Sequence, residues 1–117
     1  MDEIRYRIEE GLCVVTLRGN LYEQEARKLQ KFIDPILEDE ETSGLIINLS
    51  QVEFIDSTSI GSIIALYQKL IKRNLDFAIC NLNEHLKGIF ATMRLDNVLS
   101  LYPAEEDAIT ALKEKRA

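Results

Sequence analysis

Residues 44–50, GLIINLS, form a short apolar run in which apolar and polar positions do not alternate. A strand with one wet face alternates, because successive side chains point to opposite sides of the sheet. A run that is apolar at consecutive positions, rich in isoleucine and bounded by turn-formers, predicts a central strand buried on both faces. Such a strand needs helices above and below it. The expectation is therefore a layered α/β fold.

The flanking segments carry the required elements. Ala26, Leu29, Phe32, Ile33, Ile36 and Leu37 recur at helical spacing and predict an amphipathic helix over 23–38. Pro35 lies inside it and deletes one backbone hydrogen bond. The helix should kink near residue 31, or divide with Asp34 capping the second piece. Ile60, Ile63, Ile64, Tyr67, Leu70 and Ile71 predict a helix over 57–72, with Lys69, Lys72 and Arg73 at its negative end. IRYRIEEGLCVVTLRG, from residue 4, reads as two short strands joined at Glu10-Gly11. LDFAIC (75–80) and VLSLY (98–102) read as further strands. Between them Leu86, Ile89, Phe90 and Met93 predict a helix started by Asn81 or Asn83 and closing before Asp96-Asn97. Pro103 opens a last helix, with Glu105, Glu106 and Asp107 in its first turn and Ala108, Ile109 and Leu112 inward. The predicted order is ββαβαβαβα: a single domain over 1–117, with a mixed, mainly parallel sheet and right-handed crossovers.

Composition narrows the functional classes. A net charge of −6 argues against nucleic-acid binding, which depends on Lys and Arg neutralising phosphates. No apolar run approaches the roughly 20 residues that span a bilayer, and the charged start MDEIRYRIEE is unlike a signal peptide. Cys13 and Cys80, both in apolar strand contexts, are expected to be buried free thiols, which fits a cytoplasmic protein. The one histidine, His85, falls on the outer side of its helix, away from any triad. No metal-ligand spacing and no phosphate-cradling glycine loop occurs, and the carboxylates gather where solvation and helix dipoles explain them. The expectation is a non-enzyme without cofactor or metal.

One stretch is left over. FIDSTSIGSIIAL, residues 54–66, sets Asp56, Ser57, Thr58 and Ser59 between two apolar segments that both look buried. Asp56, Ser57 and Thr58 are each good N-cap residues, and one cap is worth about 1 kcal/mol. A helix needs one cap, and this one has four candidates. The surplus hydroxyls lie where a buried strand ends, the end at which open α/β sheets display function. Capping and an exposed functional site both remain open on composition and spacing alone.

At this point the chain resembles a family. NLSQVEFIDSTSIGSIIALYQKL (48–70) is similar to the signature of the STAS domain, a hydrophobic strand followed by Φ-x-Φ-D-S-S/T-G-Φ-G and a helix. Asn48-Leu49, Val52, Phe54, Ile55, Asp56, Ser57, Thr58, Ile60 and Gly61 match it. VVTLRGNL (14–21) resembles the family's second strand and its G-x-Φ exit, and residues 75–109 follow its closing strand-helix-strand-helix. Two positions depart from the pattern: Ser59 stands for the motif's first glycine, and Tyr22 for an aspartate common in kinase-regulated members. The resemblance implies an anti-sigma factor antagonist. Such a protein binds an anti-sigma factor that is also a serine-protein kinase, releases a sigma factor, and is inactivated by phosphorylation. Carried over by position, the acceptor is Ser57, with Thr58 second. The partner-binding residues are Asp56, Ser57, Thr58, Ser59, Ser62, Asn20 and Tyr22. Neither nucleic acid nor membrane insertion is implied, and the chain should be a monomer or weak homodimer. The alternative is an unphosphorylated STAS scaffold subunit of a signalling or lipid-transport complex, followed by a nucleotide- or small-ligand-binding domain.

Overall fold

The computed structural model describes residues 3–116. Strands β1 (Glu3–Glu9) and β2 (Leu12–Arg18) are followed by α1 (Glu23–Glu38), β3 (Gly44–Gln51), α2 (Ser57–Lys72), β4 (Asp76–Cys80) and α3 (Glu84–Thr92). A short 3₁₀ turn (Leu95–Asn97), β5 (Leu101–Tyr102) and α4 (Glu105–Arg116) complete the chain. The sheet order is β1-β2-β3-β4-β5, with β1 antiparallel to β2 and every later pairing parallel. Element order and sheet type are those the hydrophobic periods predict.

β3 sits at the centre of this sheet and is buried on both faces over Gly44–Ile47, as its consecutive apolar residues require. Leu45, Ile47 and Leu49 join Cys13, Val15, Leu17, Phe77 and Ile79 on the face covered by α1, α2 and α3. Ile46 joins Leu12, Val14, Ala78 and Cys80 on the opposite face, beneath Ala108, Ile109 and Leu112 of α4. Cys13 and Cys80 are buried free thiols on opposite faces of the sheet.

Two local expectations are corrected. α1 is not divided at Pro35, so Asp34 caps no second piece: it pairs instead with Lys69 of α2 at 2.6 Å. The end carbonyls of α1 are taken by side chains, Thr42 Oγ1 donating to Ile36 O (2.8 Å) and Arg73 to Leu37 O (3.2 Å). The fifth strand is only Leu101–Tyr102. Arg94 turns the chain at φ 58, after which Leu95 and Leu99 bury themselves through a tight turn closed by Leu99 N–H to Leu95 O at 2.7 Å. Of the residues that suggested a longer strand, Leu99 thus belongs to a turn with Leu95, and Val98 points to solvent.

Candidate functional site

The carboxyl ends of β2 and β3 lie side by side, and the site is built between them. After β2 the chain turns at Gly19 (φ 94), where a residue with a Cβ would be strained. It then runs beside the β3–α2 loop through hydrogen bonds from Gly19 N to Gln51 O (3.1 Å), Leu21 N to Phe54 O (2.9 Å) and Asp56 N to Leu21 O (3.1 Å). Asn20 Oδ1 accepts from Phe54 N at 3.2 Å. On the other flank, Asn83 caps α3 by accepting from Leu86 N (2.7 Å), and its amide nitrogen donates to Val52 O and Glu53 O, both at 3.4 Å. Residues 52–56 are therefore held on both sides, although they belong to no strand ladder beyond the single Leu21–Ile55 bridge.

Asp56 is the N-cap of α2: Oδ1 accepts from Ser59 N at 2.8 Å. Oδ2 accepts from Glu23 N, the first residue of α1, at 3.2 Å. α1 needs this help because its own N-cap position is Tyr22, whose side chain makes no cap bond. The Ser59 side chain first, then its amide, then the Glu23 amide hold the Asp56 carboxyl below the ordinary aspartate range. The Ser59 hydroxyl acts on it as a neighbouring dipole, since Oγ has no partner in hydrogen-bond geometry.

The structure divides the predicted hydroxyls. Ser57 and Thr58 are exposed at the start of α2, and among the described residues no side-chain hydrogen bond takes up either hydroxyl. Ser59 is buried, at 0% exposure, and is withdrawn as a partner contact. It lies on the inward stripe Ser59, Ile63, Leu66 and Leu70, and lines a narrow crevice between α1 and α2. Ser62, half-buried, lines the same crevice and donates to Thr58 O at 3.3 Å. Asn20 is at the rim, with its oxygen committed to the loop brace.

Two residues of this surface were not in the predicted set. Phe54, expected within a buried approach, is 39% exposed, whereas its neighbours Val52 and Ile55 are buried. It meets Tyr22 (45% exposed) at a ring-centroid distance of 5.7 Å, and lies parallel to the exposed His85 ring at 6.5 Å and 17°. Tyr22, Phe54 and His85 form an aromatic row that joins the start of α1, the β3–α2 loop and the first turn of α3. Phe54 at every-other spacing from Val52 gave no hint of this, because the segment is not a strand. Gly61 adds open space one turn along α2, with nothing within 4 Å of where a Cβ would stand.

Among the described residues no group of His, Cys, Asp and Glu is placed to hold a metal ion, and no helix is long and apolar enough to cross a membrane.

A layered sheet that presents a D-S-T helix start beside the β2 exit defines a class, and the family model of the STAS domain matches residues 3–108. The chain belongs to the STAS domain family. It is 21% identical over 111 residues to the anti-sigma F factor antagonist of Paenibacillus polymyxa, covering 95% of each. Among solved structures it superposes on an anti-sigma factor antagonist from Mycobacterium paratuberculosis with TM-score 0.84, 28% identity, and coverage of 95% of this chain and 93% of that one. The Bacillus cell fate determinant SpoIIAA in its phosphorylated form matches with TM-score 0.73 and 17% identity over 94% of this chain and 99% of that one.

Proposed function

We propose that this protein is an anti-sigma factor antagonist whose contact with an anti-sigma serine kinase is ended by phosphorylation of Ser57. The observation that carries this reading is the division of labour at the start of α2. Asp56 does the capping, Ser59 turns inward, and Ser57 is left exposed with a hydroxyl the fold does not use. Thr58 is the second acceptor. The names of the similar proteins, an anti-sigma F factor antagonist and a phosphorylated SpoIIAA, support the same reading.

The physics of the switch is local. A phosphate brings about −1.5 to −2 charges and three acceptor oxygens. At the first residue of α2 it meets free main-chain amides and the positive end of the helix, so the modified domain stays folded. Its effect falls on the docked partner, which must then accommodate a doubly charged group beside the carboxylate of Asp56. Tyr22, Phe54 and His85 supply the apolar part of the contact, and aromatic anchors of this kind dominate protein interfaces energetically. Thr58, Ser62 and Asn20 complete its polar rim. A small regulator confined to the cytoplasm, working by binding and not by catalysis, is the corresponding picture.

The test is incubation with ATP and each anti-sigma-type serine kinase of the same genome, followed by intact and peptide-resolved mass spectrometry. One phosphate on Ser57, absent in Ser57→Ala, is the expected result. If every kinase leaves residues 56–62 unmodified, phosphorylation control is ruled out. The aromatic row, which needs no phosphate, then favours the second reading, a constitutive partner of a STAS scaffold.

A further inference from the structure

β1 is an open edge of the sheet. It pairs with β2 along its whole length, from Glu3↔Arg18 to Glu9↔Leu12, without a bulge, and its other side carries no strand among the described residues. Edge strands are commonly shortened, bulged, interrupted by proline or covered. This seven-residue strand has no proline and no bulge. Its turn to β2 is the two residues Glu10 (φ 49) and Gly11 (φ 85). A two-residue hairpin closes on a hydrogen-bonded pair, here Glu9 with Leu12, and bonded and non-bonded pairs alternate from there. Arg5, Arg7 and Glu9 therefore direct their main-chain groups to β2. Ile4, Tyr6 and Ile8 direct theirs outward.

Side chains alternate as well. Ile4, Tyr6 and Ile8 lie on the α1 side, where Tyr6 meets Phe32 edge-on at 5.0 Å and, with Ile8, borders a groove reaching Pro35 and Ile36. Tyr6 and Ile8 are each 54% exposed. Arg7 and Glu9 lie on the α4 side, where Arg7 pairs with Glu105 and Glu9 with Lys113, both at 2.9 Å. The strand reads Glu-Ile-Arg-Tyr-Arg-Ile-Glu, the same in both directions. The pattern is symmetric about Tyr6, so a two-fold axis there would set like residues opposite one another, and an axis one residue along sets unlike residues opposite.

We propose that β1 pairs antiparallel with β1 of a second copy about a two-fold axis at Arg7, joining two five-stranded sheets into one. In this register Tyr6 stands opposite the partner's Ile8, and the outward main-chain groups of both residues are satisfied. Arg5 stands opposite the partner's Glu9. Aromatic–aliphatic and opposite-charge pairs are the favourable cross-strand combinations. Centring the axis on Tyr6 would set Arg5 against the partner's Arg7, like charge on like. Centring it on Arg5 would carry the exposed Ile8 past Glu3, where the described strand of the partner begins. On the proposed axis Arg7 meets the partner's Arg7, each already balanced by Glu105 and by Glu9 at 3.6 Å. The contact is far smaller than a standard interface, so the dimer is a concentration-dependent one.

Sedimentation or light scattering of the full chain, up to about 1 mM, tests this. The mass should move from 13.4 kDa toward twice that value. Arg5→Glu and Glu9→Arg should each weaken association about tenfold, the charge-swapped double variant should recover it, and circular dichroism checks that all three fold. Tyr6→Pro removes an outward N–H together with the ring that meets Phe32, and, provided circular dichroism shows it folded, should abolish the dimer. On the unaltered chain, amide exchange at Tyr6 and Ile8 should slow as concentration rises. A mass of 13.4 kDa throughout overturns the proposal, as does a dimer indifferent to these substitutions. A double variant that fails to recover overturns the register.

Discussion

The main-chain N–H of Glu23 donates to Asp56 Oδ2 at 3.2 Å, while the other oxygen of that carboxylate receives Ser59 N at 2.8 Å. One side chain thus caps two helices that are remote in sequence, and the motif aspartate is a structural residue before it is a contact. Asp56→Ala should lower Tm by about 5 °C or more, since an N-cap is lost from α2 and an orphan amide is left on α1. Asp56→Asn keeps one good acceptor and should lose roughly half as much. Thermal unfolding of both variants checks this, and an Asp56→Asn variant as stable as the unaltered chain would show that the bond to Glu23 contributes nothing.

Ser59 carries a buried hydroxyl without a hydrogen-bond partner. An unmade buried hydrogen bond costs stability, and alanine is the better helix former. Ser59→Ala should therefore be neutral or stabilise by about 0.5–1 kcal/mol in urea unfolding. A loss above about 1 kcal/mol would mean that the hydroxyl's influence on Asp56 outweighs its burial.

Two glycines should respond in opposite directions. A Cβ at Gly44 would stand 2.8 Å from Asp76 O and 3.1 Å from Leu12, where β2, β3 and β4 meet. Gly44→Ala should cost about 1–3 kcal/mol. At Gly61 the space is open and the backbone helical, so Gly61→Ala should stabilise the free protein by about 1 kcal/mol. The same substitution should weaken binding of the anti-sigma partner, measured by titration calorimetry, because the open space beside Ser57 is where that partner docks in the proposed function.

Acid should weaken the fold through Glu105. Burial raises its pKa, but hydrogen bonds from Asn48 and Arg7, with the Arg7 charge, outweigh this and hold it below its usual 4.5. Asp56 is likewise held below 3.8. A carboxylate whose pKa is lower when folded adds stability above its unfolded pKa and loses it as pH falls through the folded one. Urea midpoints should be flat near neutrality and fall below about pH 4.5. Glu105→Gln should be less stable at pH 7 and show a shallower acid slope.

Much of this architecture was legible because the apolar period changes where the structure changes. The stripe from Ile60 to Ile71 predicts the helix 57–72, and the unbroken run at 44–50 places β3 at the centre. The last strand is shorter than its apolar run, because Val98 and Leu99 adjoin Leu101 and Tyr102 in sequence while Leu99 closes a turn back onto Leu95. At the site, the inward turn of Ser59 was available from its register with Ile63, Leu66 and Leu70, yet its membership of a hydroxyl cluster suggested the surface. The bond from Glu23 to Asp56 and the stacking of Phe54 on His85 join residues about 30 positions apart in sequence, each pairing a loop with the start of a helix. No local pattern carries them.

Cys13 and Cys80 have a practical consequence. Burial pushes their thiols up to about 11 and about 12, the latter with help from Glu105, so neither reacts readily while the sheet is covered. Cys13 is shielded by the three-helix layer and Cys80 by α4 alone. A thiol reagent therefore keeps two separate clocks. Labelling at Cys80 times the lifting of the C-terminal helix, and labelling at Cys13 times the opening of the layer that carries Ser57.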